Sequence, residues 1–522
     1  MGSQEKAAES DSHGDLDVTG NGTNNTAHFV FVPLLAAQGH LIPAVDTALL
    51  LATHGAVCTI VGTPATAARV SATVASGVRA GLRVRLIMFP LDYAASGLPE
   101  GVDHMDTLPP EYMRNYFEAM SLLREPVESY LRAHAPRPTC VVSDFCHPWT
   151  TELAASLGVP RLSFFSMCAF TLLCQHNVER FHAYGGVADD NELVAVPGLE
   201  KKRVVEVTRA QAPGFFRGIE DPWWLEFGDY VERARAEADG VIMNTFLEME
   251  PDFVAGYAAA RNMKVWTVGP VSLYHQNRAV TLATRGKTAA CVDAEDCLRW
   301  LDGKEPGSVI YVSFGSIAQA NAKQAVELGL GLEASGHAFV WAVRDADAYD
   351  DTARAFLCEL EARVVGRGLV VSGWAPQVLV LSHPAVGGFV THCGWNSTLE
   401  AVAAGLPVVT WPHFADQFLN EKMAVEVLGI GVSVGVKEPL MYGRAAEKEI
   451  VVGRDVVEEA VRSVMGDAEE RRRRARALAG KARAAMREGG SSRANLLDLV
   501  ERFKGTGAAA RGATVCDAKI VL

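Results

Sequence analysis

No stretch of the 522 residues is apolar for the roughly 18 positions that a membrane-crossing helix needs, so such a span is not expected. Met1 to Ala27 holds no apolar h-region and therefore does not read as a secretory signal. Lys6 stands where N-myristoylation would need Ser or Thr after Gly2. The ten cysteines, at 58, 140, 146, 168, 174, 291, 297, 358, 393 and 516, include no Cys-x-x-Cys pair. That scatter suits unligated thiols in a reducing compartment, and a cytoplasmic location is the expectation. Asn21-Gly-Thr and Asn24-Asn-Thr match the N-glycosylation pattern, yet without export they stay idle. Positive charge is also scarce. Lys and Arg number 49 against 62 Asp and Glu, and the formal charge of −13 disfavours nucleic acid as a partner. The basic run Arg471–Arg474 follows Glu469 and Glu470 in an Ala-rich stretch and reads as a solvated helix face.

What remains, 49% apolar and 21% charged, is a globular composition, and the length calls for two domains. Short apolar runs alternate with amphipathic stretches, as in α/β domains with parallel sheets. HFVFVP at His28–Pro33 lacks alternation and reads as a fully buried strand. A loop over Leu34–Leu41 is expected next, then a helix with Pro43 in its first turn running to Thr53, then a strand over Ala56–Val61. A second such series starts at Ser308–Phe314 and continues through Ala338–Val343, Leu369–Val371, Gly388–Thr391 and Val408–Trp411. Residues 1–27 are expected to be disordered, 28–273 to form one domain, 274–293 a linker and 294–488 a second domain. Residues 489–505 form a helix packing back towards the first domain, with Leu496, Leu497, Val500 and Phe503 as its apolar stripe, and 506–522 a disordered tail. Two doubly wound, Rossmann-like domains would face each other across a cleft, with ligands at the strand C-termini.

The segment from Trp374 to Gln417 is the most informative. A helix is expected to start near Asn396-Ser397, both good N-capping types, and to end at Gly405 before Pro407. Its N-terminus offers unpaired N–H groups and a partial positive charge, a seat for a diphosphate. His392 precedes the turn and can add a hydrogen bond. Glu400 shares a helix face with Asn396 and can accept bonds from two ribose hydroxyls. Trp374 has a flat face for a base. Singly, each of these residues reads as readily as core, cap or solvated surface.

Together they resemble the signature box of plant secondary-product glycosyltransferases, the family 1 UDP-sugar-dependent enzymes. The resemblance takes in WAPQ, HCGWNS, the following Glu and the closing Asp-Gln, and extends to VSFGS, GLPEG, EGGSS and the loop AQGHLIP. It covers roughly residues 28 to 505 and implies the GT-B fold, with the acceptor bound by the first domain and the UDP-sugar by the second. It further implies that Trp374 stacks on uracil, Ala375 contacts it through its backbone, and Gln377 binds the ribose region. Glu400 would hold the ribose hydroxyls. His392, Asn396, Ser397 and Ser316 would surround the diphosphate, and Trp395, Asp416 and Gln417 would reach the sugar. In the family a terminal Gln goes with glucose, so UDP-glucose is the expected donor.

Glycosyl transfer needs a base for the acceptor's proton, and histidine titrates in the right range. From position alone His40 is equally a capping or core residue, and Asp144, at the end of the strand Cys140–Ser143, equally a helix cap. The resemblance implies that His40 is the base and Asp144 its partner, in the manner of a triad. One base without an enzyme nucleophile implies a single displacement, hence inversion and a β-glucoside. Asp345-Ala-Asp347 matches the letters of a metal-binding Asp-x-Asp but sits in a polar loop, so neither a metal nor another cofactor is expected. The aromatic residues Phe89, Tyr93, Phe164, Phe165, Phe215, Phe216, Trp223 and Trp224 enrich the first domain, and Phe145, Trp149 and Ser166 are the candidate acceptor residues. A flavonoid, phenolic or terpenoid acceptor and a monomeric enzyme are expected. The alternatives are a silent UDP-sugar-binding protein of the same fold, another UDP-sugar, or a non-oxygen acceptor atom. An NAD(P) oxidoreductase is disfavoured, because the first loop lacks G-x-G-x-x-G.

Overall fold

Strands without alternation belong inside parallel sheets covered on both faces, and the chain builds two of them. The computed structural model describes residues 26–505 apart from 36, 103–107, 200–203, 213–220, 275–293, 316–320, 344–348, 374, 441–450 and 467–468. The expectations for Ser316, Trp374, Phe215, Phe216, Asp345-Ala-Asp347, residues 275–293 and both chain ends therefore lie outside the described residues.

The first sheet has seven strands: β1 (His28–Val32), β2 (Val57–Gly62), β3 (Val84–Met88), β4 (Cys140–Asp144), β5 (Arg161–Phe165), β6 (Gly240–Met243) and β7 (Val265–Thr267). Their order is β3-β2-β1-β4-β5-β6-β7, all parallel. The second sheet has six: β8 (Val309–Ser313), β9 (Ala338–Val343), β10 (Gly368–Ser372), β11 (Val386–Thr391), β12 (Val408–Thr410) and β13 (Gly431–Ser433). It repeats the scheme as β10-β9-β8-β11-β12-β13, again parallel. Each sheet thus reverses direction beside its first strand, and that reversal opens a crevice at the strand C-termini. Register decides which residues meet there. Val32 pairs with Ser143, Phe165 with Met243 and Ser313 with Thr391, so the loops leaving these strands lie side by side.

Seven helices matter for the site: α1 (Gln38–Thr53), α2 (Ala169–Arg180), α3 (Trp395–Ala404), α4 (Gln417–Lys422), α5 (Arg454–Met465), α6 (Glu469–Met486) and α7 (Ser491–Arg502). Two starts differ from expectation. The loop expected over Leu34–Leu41 is shorter, because α1 begins at Gln38 and places His40 in its first turn and Pro43 in its interior. An interior proline costs a helix about 3 kcal/mol. The helix forms nonetheless, since Leu41, Ala44, Val45, Ala48, Leu49 and Leu51 are all buried, and one buried Leu or Val is worth roughly 1.5–3 kcal/mol. Likewise α3 starts at Trp395 with Gly394 as its N-cap, so Asn396 and Ser397 lie inside the first turn and cap nothing. The turn before it is made by Cys393 in the left-handed region at φ 64°.

The expected stripe of the last helix is corrected at one position. Leu496, Leu499, Val500 and Phe503 are buried while Leu497 is exposed, because the 3.6-residue period runs i, i+3, i+4, i+7 from Leu496. This helix follows the second sheet in sequence but packs on the first. Asn495 donates to the Thr267 carbonyl at 2.9 Å, Ser492 to the Gly269 carbonyl at 2.6 Å, and the Trp266 indole to Asp498 at 2.6 Å. Phe503 meets the Phe29 ring edge-on at 5.8 Å. In the basic run, Arg473 and Arg474 pair with Glu470, whereas Arg471 and Arg472 donate to carbonyls that end α5, including those of Ser463 and Gly466. The eight described cysteines are all free thiols. No helix among the described residues is long and apolar enough to cross a membrane. Phe503→Ala is expected to lower the unfolding free energy by about 3 kcal/mol in chemical denaturation, whereas Leu497→Ala should stay within about 0.5 kcal/mol of the parent.

Candidate active site

The pairing of β1 with β4 brings the start of α1 against the end of β4. There His40 Nδ1 and Asp144 Oδ2 lie 2.7 Å apart, with Asp144 buried and the His40 side chain 22% exposed. The other carboxylate oxygen, Oδ1, accepts the Cys146 N–H at 3.0 Å, so the carboxylate cannot swing. Burial opposes charge on both groups, but each outweighs it for the other: the His40 pKa is raised by Asp144 and, more weakly, by Asp416, and the Asp144 pKa is lowered. An ionised Asp144 accepts the Nδ1–H, which leaves the Nε2 of neutral His40 as an acceptor of protons. Below the pair, buried His147 holds the Pro33 carbonyl at 3.1 Å, and burial lowers its pKa to about 4. Phe145 leans on His40 with ring centroids 6.0 Å apart and stacks on Phe165 at 5.0 Å. Arg235 lies over both rings. Trp149 and Ser166 are buried in the same region of the first domain.

In the second domain β8 and β11 end together, which sets Gly315 beside His392. The imidazole is enclosed by two glycines, since a methyl group at either Gly315 or Gly394 would run into it. Burial and nearby His413 lower its pKa to about 3, so it is neutral, and its Nδ1 has no hydrogen-bond partner among the described residues. The first helical bond of α3 runs from the Thr398 N–H to the Gly394 carbonyl at 3.0 Å. The N–H groups of Trp395, Asn396 and Ser397 are thus left without an intrahelical acceptor, next to His392. Ala375 is buried. Gln377 donates to Ser397 at 3.0 Å and to Glu400 at 2.8 Å, which joins three of the expected UDP-contacting residues in one patch.

The side chains of the closing Asp-Gln are tightly constrained. Gln417 Oε1 accepts the N–H groups of His413, at 2.8 Å, and Phe414, at 3.2 Å. Two backbone donors identify that atom as oxygen, so Nε2 is the group left to donate. Asp416 follows Ala415, itself at a left-handed φ of 56°, and receives Asn420 Nδ2 at 2.7 Å. Its pKa is raised by burial.

Two residues of the box bind the first domain. The Trp395 indole donates to the Asn244 carbonyl at 2.7 Å, and Asn244 Nδ2 donates to Asn396 Oδ1 at 3.1 Å. Asn396 in turn donates to the Gly39 carbonyl. On the other flank Asn420 Nδ2 donates to the Cys393 carbonyl at 2.9 Å, and its Oδ1 accepts from Thr171 of α2 at 3.0 Å. Asn244 and Asn420 were not singled out from the sequence. Asn244 carried a usable signal, because it ends an apolar strand as Asp144 does, and Asn420 lies four residues from Asp416.

The family model described as UDP-glucoronosyl and UDP-glucosyl transferase matches residues 296–452. The chain is 44% identical to UDP-glycosyltransferase 73E1 of Stevia rebaudiana over 91% of this chain and 95% of that one. It is 43% identical to UDP-glycosyltransferase 73C3 of Arabidopsis thaliana over the same 91% and 95%. Among solved structures, UGT73P12 of Glycyrrhiza uralensis, complexed with glycyrrhetinic acid 3-O-monoglucuronide, superposes with a TM-score of 0.83 at 34% identity, covering 92% of this chain and 96% of its own. UGT89C1 of Arabidopsis thaliana, complexed with UDP-L-rhamnose, gives 0.70 at 27% identity, covering 92% and 99%. On its paired parallel sheets and on these relatives, the chain belongs to the plant UDP-dependent glycosyltransferases of the GT-B fold, enzymes that move a sugar from a uridine diphosphate carrier to a small metabolite.

Proposed function

We propose that the enzyme transfers glucose from UDP-glucose to a hydroxyl of a small hydrophobic plant metabolite, with inversion at the anomeric carbon. The observation that carries this reading is the 2.7 Å contact between His40 Nδ1 and Asp144. His40 Nε2 takes the acceptor's proton as the acceptor oxygen bonds to the anomeric carbon, and the bond from that carbon to the β-phosphate oxygen breaks. Asp144 stabilises the imidazolium that results. The free N–H groups of α3 and neutral His392 stabilise the charge growing on the leaving UDP, so no metal is needed and no cofactor takes part. Trp374, Ala375 and Gln377 hold the uridine and Glu400 the ribose, with Ser316, Asn396 and Ser397 at the diphosphate.

Trp395, Asp416 and Gln417 serve the sugar. Support for glucose comes from Gln417, whose fixed amide presents Nε2 as a donor. Phe145, Trp149 and Ser166 line the acceptor side, and a bound glycyrrhetinic acid glucuronide in another relative supports a small apolar acceptor. A single chain carries both halves of the site, so the enzyme works as a monomer, and its free thiols suit the cytoplasm.

With UDP-glucose and a panel of flavonoids, phenolics and terpenoids, UDP release should be faster than with other UDP-sugars. His40→Ala should cut kcat by about 10² to 10⁴-fold while UDP still binds, and a near-normal kcat would remove the base. Because His40 works deprotonated and its pKa is raised, kcat/KM should climb with pH through an inflection above the ordinary histidine value of 6.5. Asp144→Asn should move that inflection down and slow turnover by about 10²- to 10⁴-fold. Activity should be indifferent to EDTA, and loss that Mn²⁺ or Mg²⁺ restores would overturn the metal-free mechanism.

A further inference from the structure

Pro43 removes a hydrogen bond at a telling place. Within α1 the carbonyl of Gly39 would accept the N–H of residue 43, and proline has none. That carbonyl belongs to the residue before His40, and it is the one to which Asn396 of the second domain donates. The amide of Asn396 is oriented by a chain of bonds that begins in the first domain. The Val271 N–H donates to Asn244 Oδ1 at 3.1 Å, which leaves Asn244 Nδ2 to donate to Asn396 Oδ1 at 3.1 Å, which leaves Asn396 Nδ2 for the Gly39 carbonyl. A backbone donor closes one end and a backbone acceptor the other, so neither amide can turn over without facing like against like. Asn244 is buried, and Gly269 packs so tightly on its side chain that a methyl group there would displace it.

We infer that Pro43 is a positioning residue: by withholding a helical N–H it frees the Gly39 carbonyl for the Asn244–Asn396 relay, which sets the His40 turn of α1 against the first turn of α3. This rests on the reading of His40 as the base. The relay runs from the first domain through the donor helix and back to the first domain. It therefore ties the distance between base and sugar carrier to bonds that involve neither substrate.

Pro43→Ala gives the helix back its N–H, which competes with Asn396 for the carbonyl. The variant is expected to melt at the same or a higher temperature than the parent, since a helix-breaking residue is gone. Yet its kcat should fall on the order of tenfold, because small displacements of a reacting group are severe, while UDP affinity stays within about threefold. A structural role alone would make kcat follow stability. Asn244→Asp, of the same shape, turns the relay's polarity around and should lower kcat similarly, whether or not Pro43→Ala folds. In the double variant the loss should be no greater than in the worse single one. The inference fails if either variant keeps kcat within about twofold of the parent, if UDP affinity falls in step with kcat, or if the two losses multiply. His40→Ala separates this from the reading beneath it. Turnover retained there removes the base itself, whereas turnover lost there and kept in Pro43→Ala removes only the role of Pro43.

Discussion

The hydrogen bond from the Trp395 indole to the Asn244 carbonyl joins the C-terminal edge of one parallel sheet to the helix that leaves the other. A parallel sheet collects every strand's C-terminal end on one edge, and hydrogen bonds join the segments leaving these two edges. Without bonds between them the His40–Asp144 pair of the first domain and the first turn of α3 in the second would have no fixed relation. Trp395, Asn396 and Asn420 supply those bonds, and all three lie within or just after the segment Trp374 to Gln417. The same short segment that carries the family's signature thus also sets domain registry.

Desolvation sorts the charges across the cleft. Burial lowers the pKa of His392, His147 and His413, so they stay neutral, and none adds a fixed cation there. His40 is the exception, because a buried carboxylate at hydrogen-bond distance outweighs its desolvation. What lies beside His392 at the start of α3 is therefore a set of oriented N–H dipoles and a neutral imidazole rather than an imidazolium. Dipoles already aligned by α3 need no reorganisation when charge develops on them.

Much of the fold was legible because buried parallel strands announce themselves by unbroken apolar runs. HFVFVP and SVIYVSF gave the first strands of both sheets to within a residue or so. The helix starts were less legible. The residues before α1 and α3 carry no side-chain cap, and both helices begin where tertiary burial or a left-handed Cys393 permits rather than where a capping side chain directs. Leu497 misled because the period separates adjacent leucines only once the phase of the buried face is fixed. Only packing against Phe29 and Trp266 selects Leu496, Leu499, Val500 and Phe503 as the buried set.

By itself the sequence determined the class of molecule: two parallel α/β halves, a box of recognisable spacing, a His shortly after the first apolar strand and an Asp at the end of another. Those features depend on local pattern, which a linear chain displays. Tertiary structure decided which atoms face which. It set the 2.7 Å contact across 104 positions between His40 and Asp144, the orientation of the Gln417 amide, and the relay from Val271 to the Gly39 carbonyl. Hydrogen bonds are directional and short, so their partners are chosen only when strand register and domain docking bring the groups within reach.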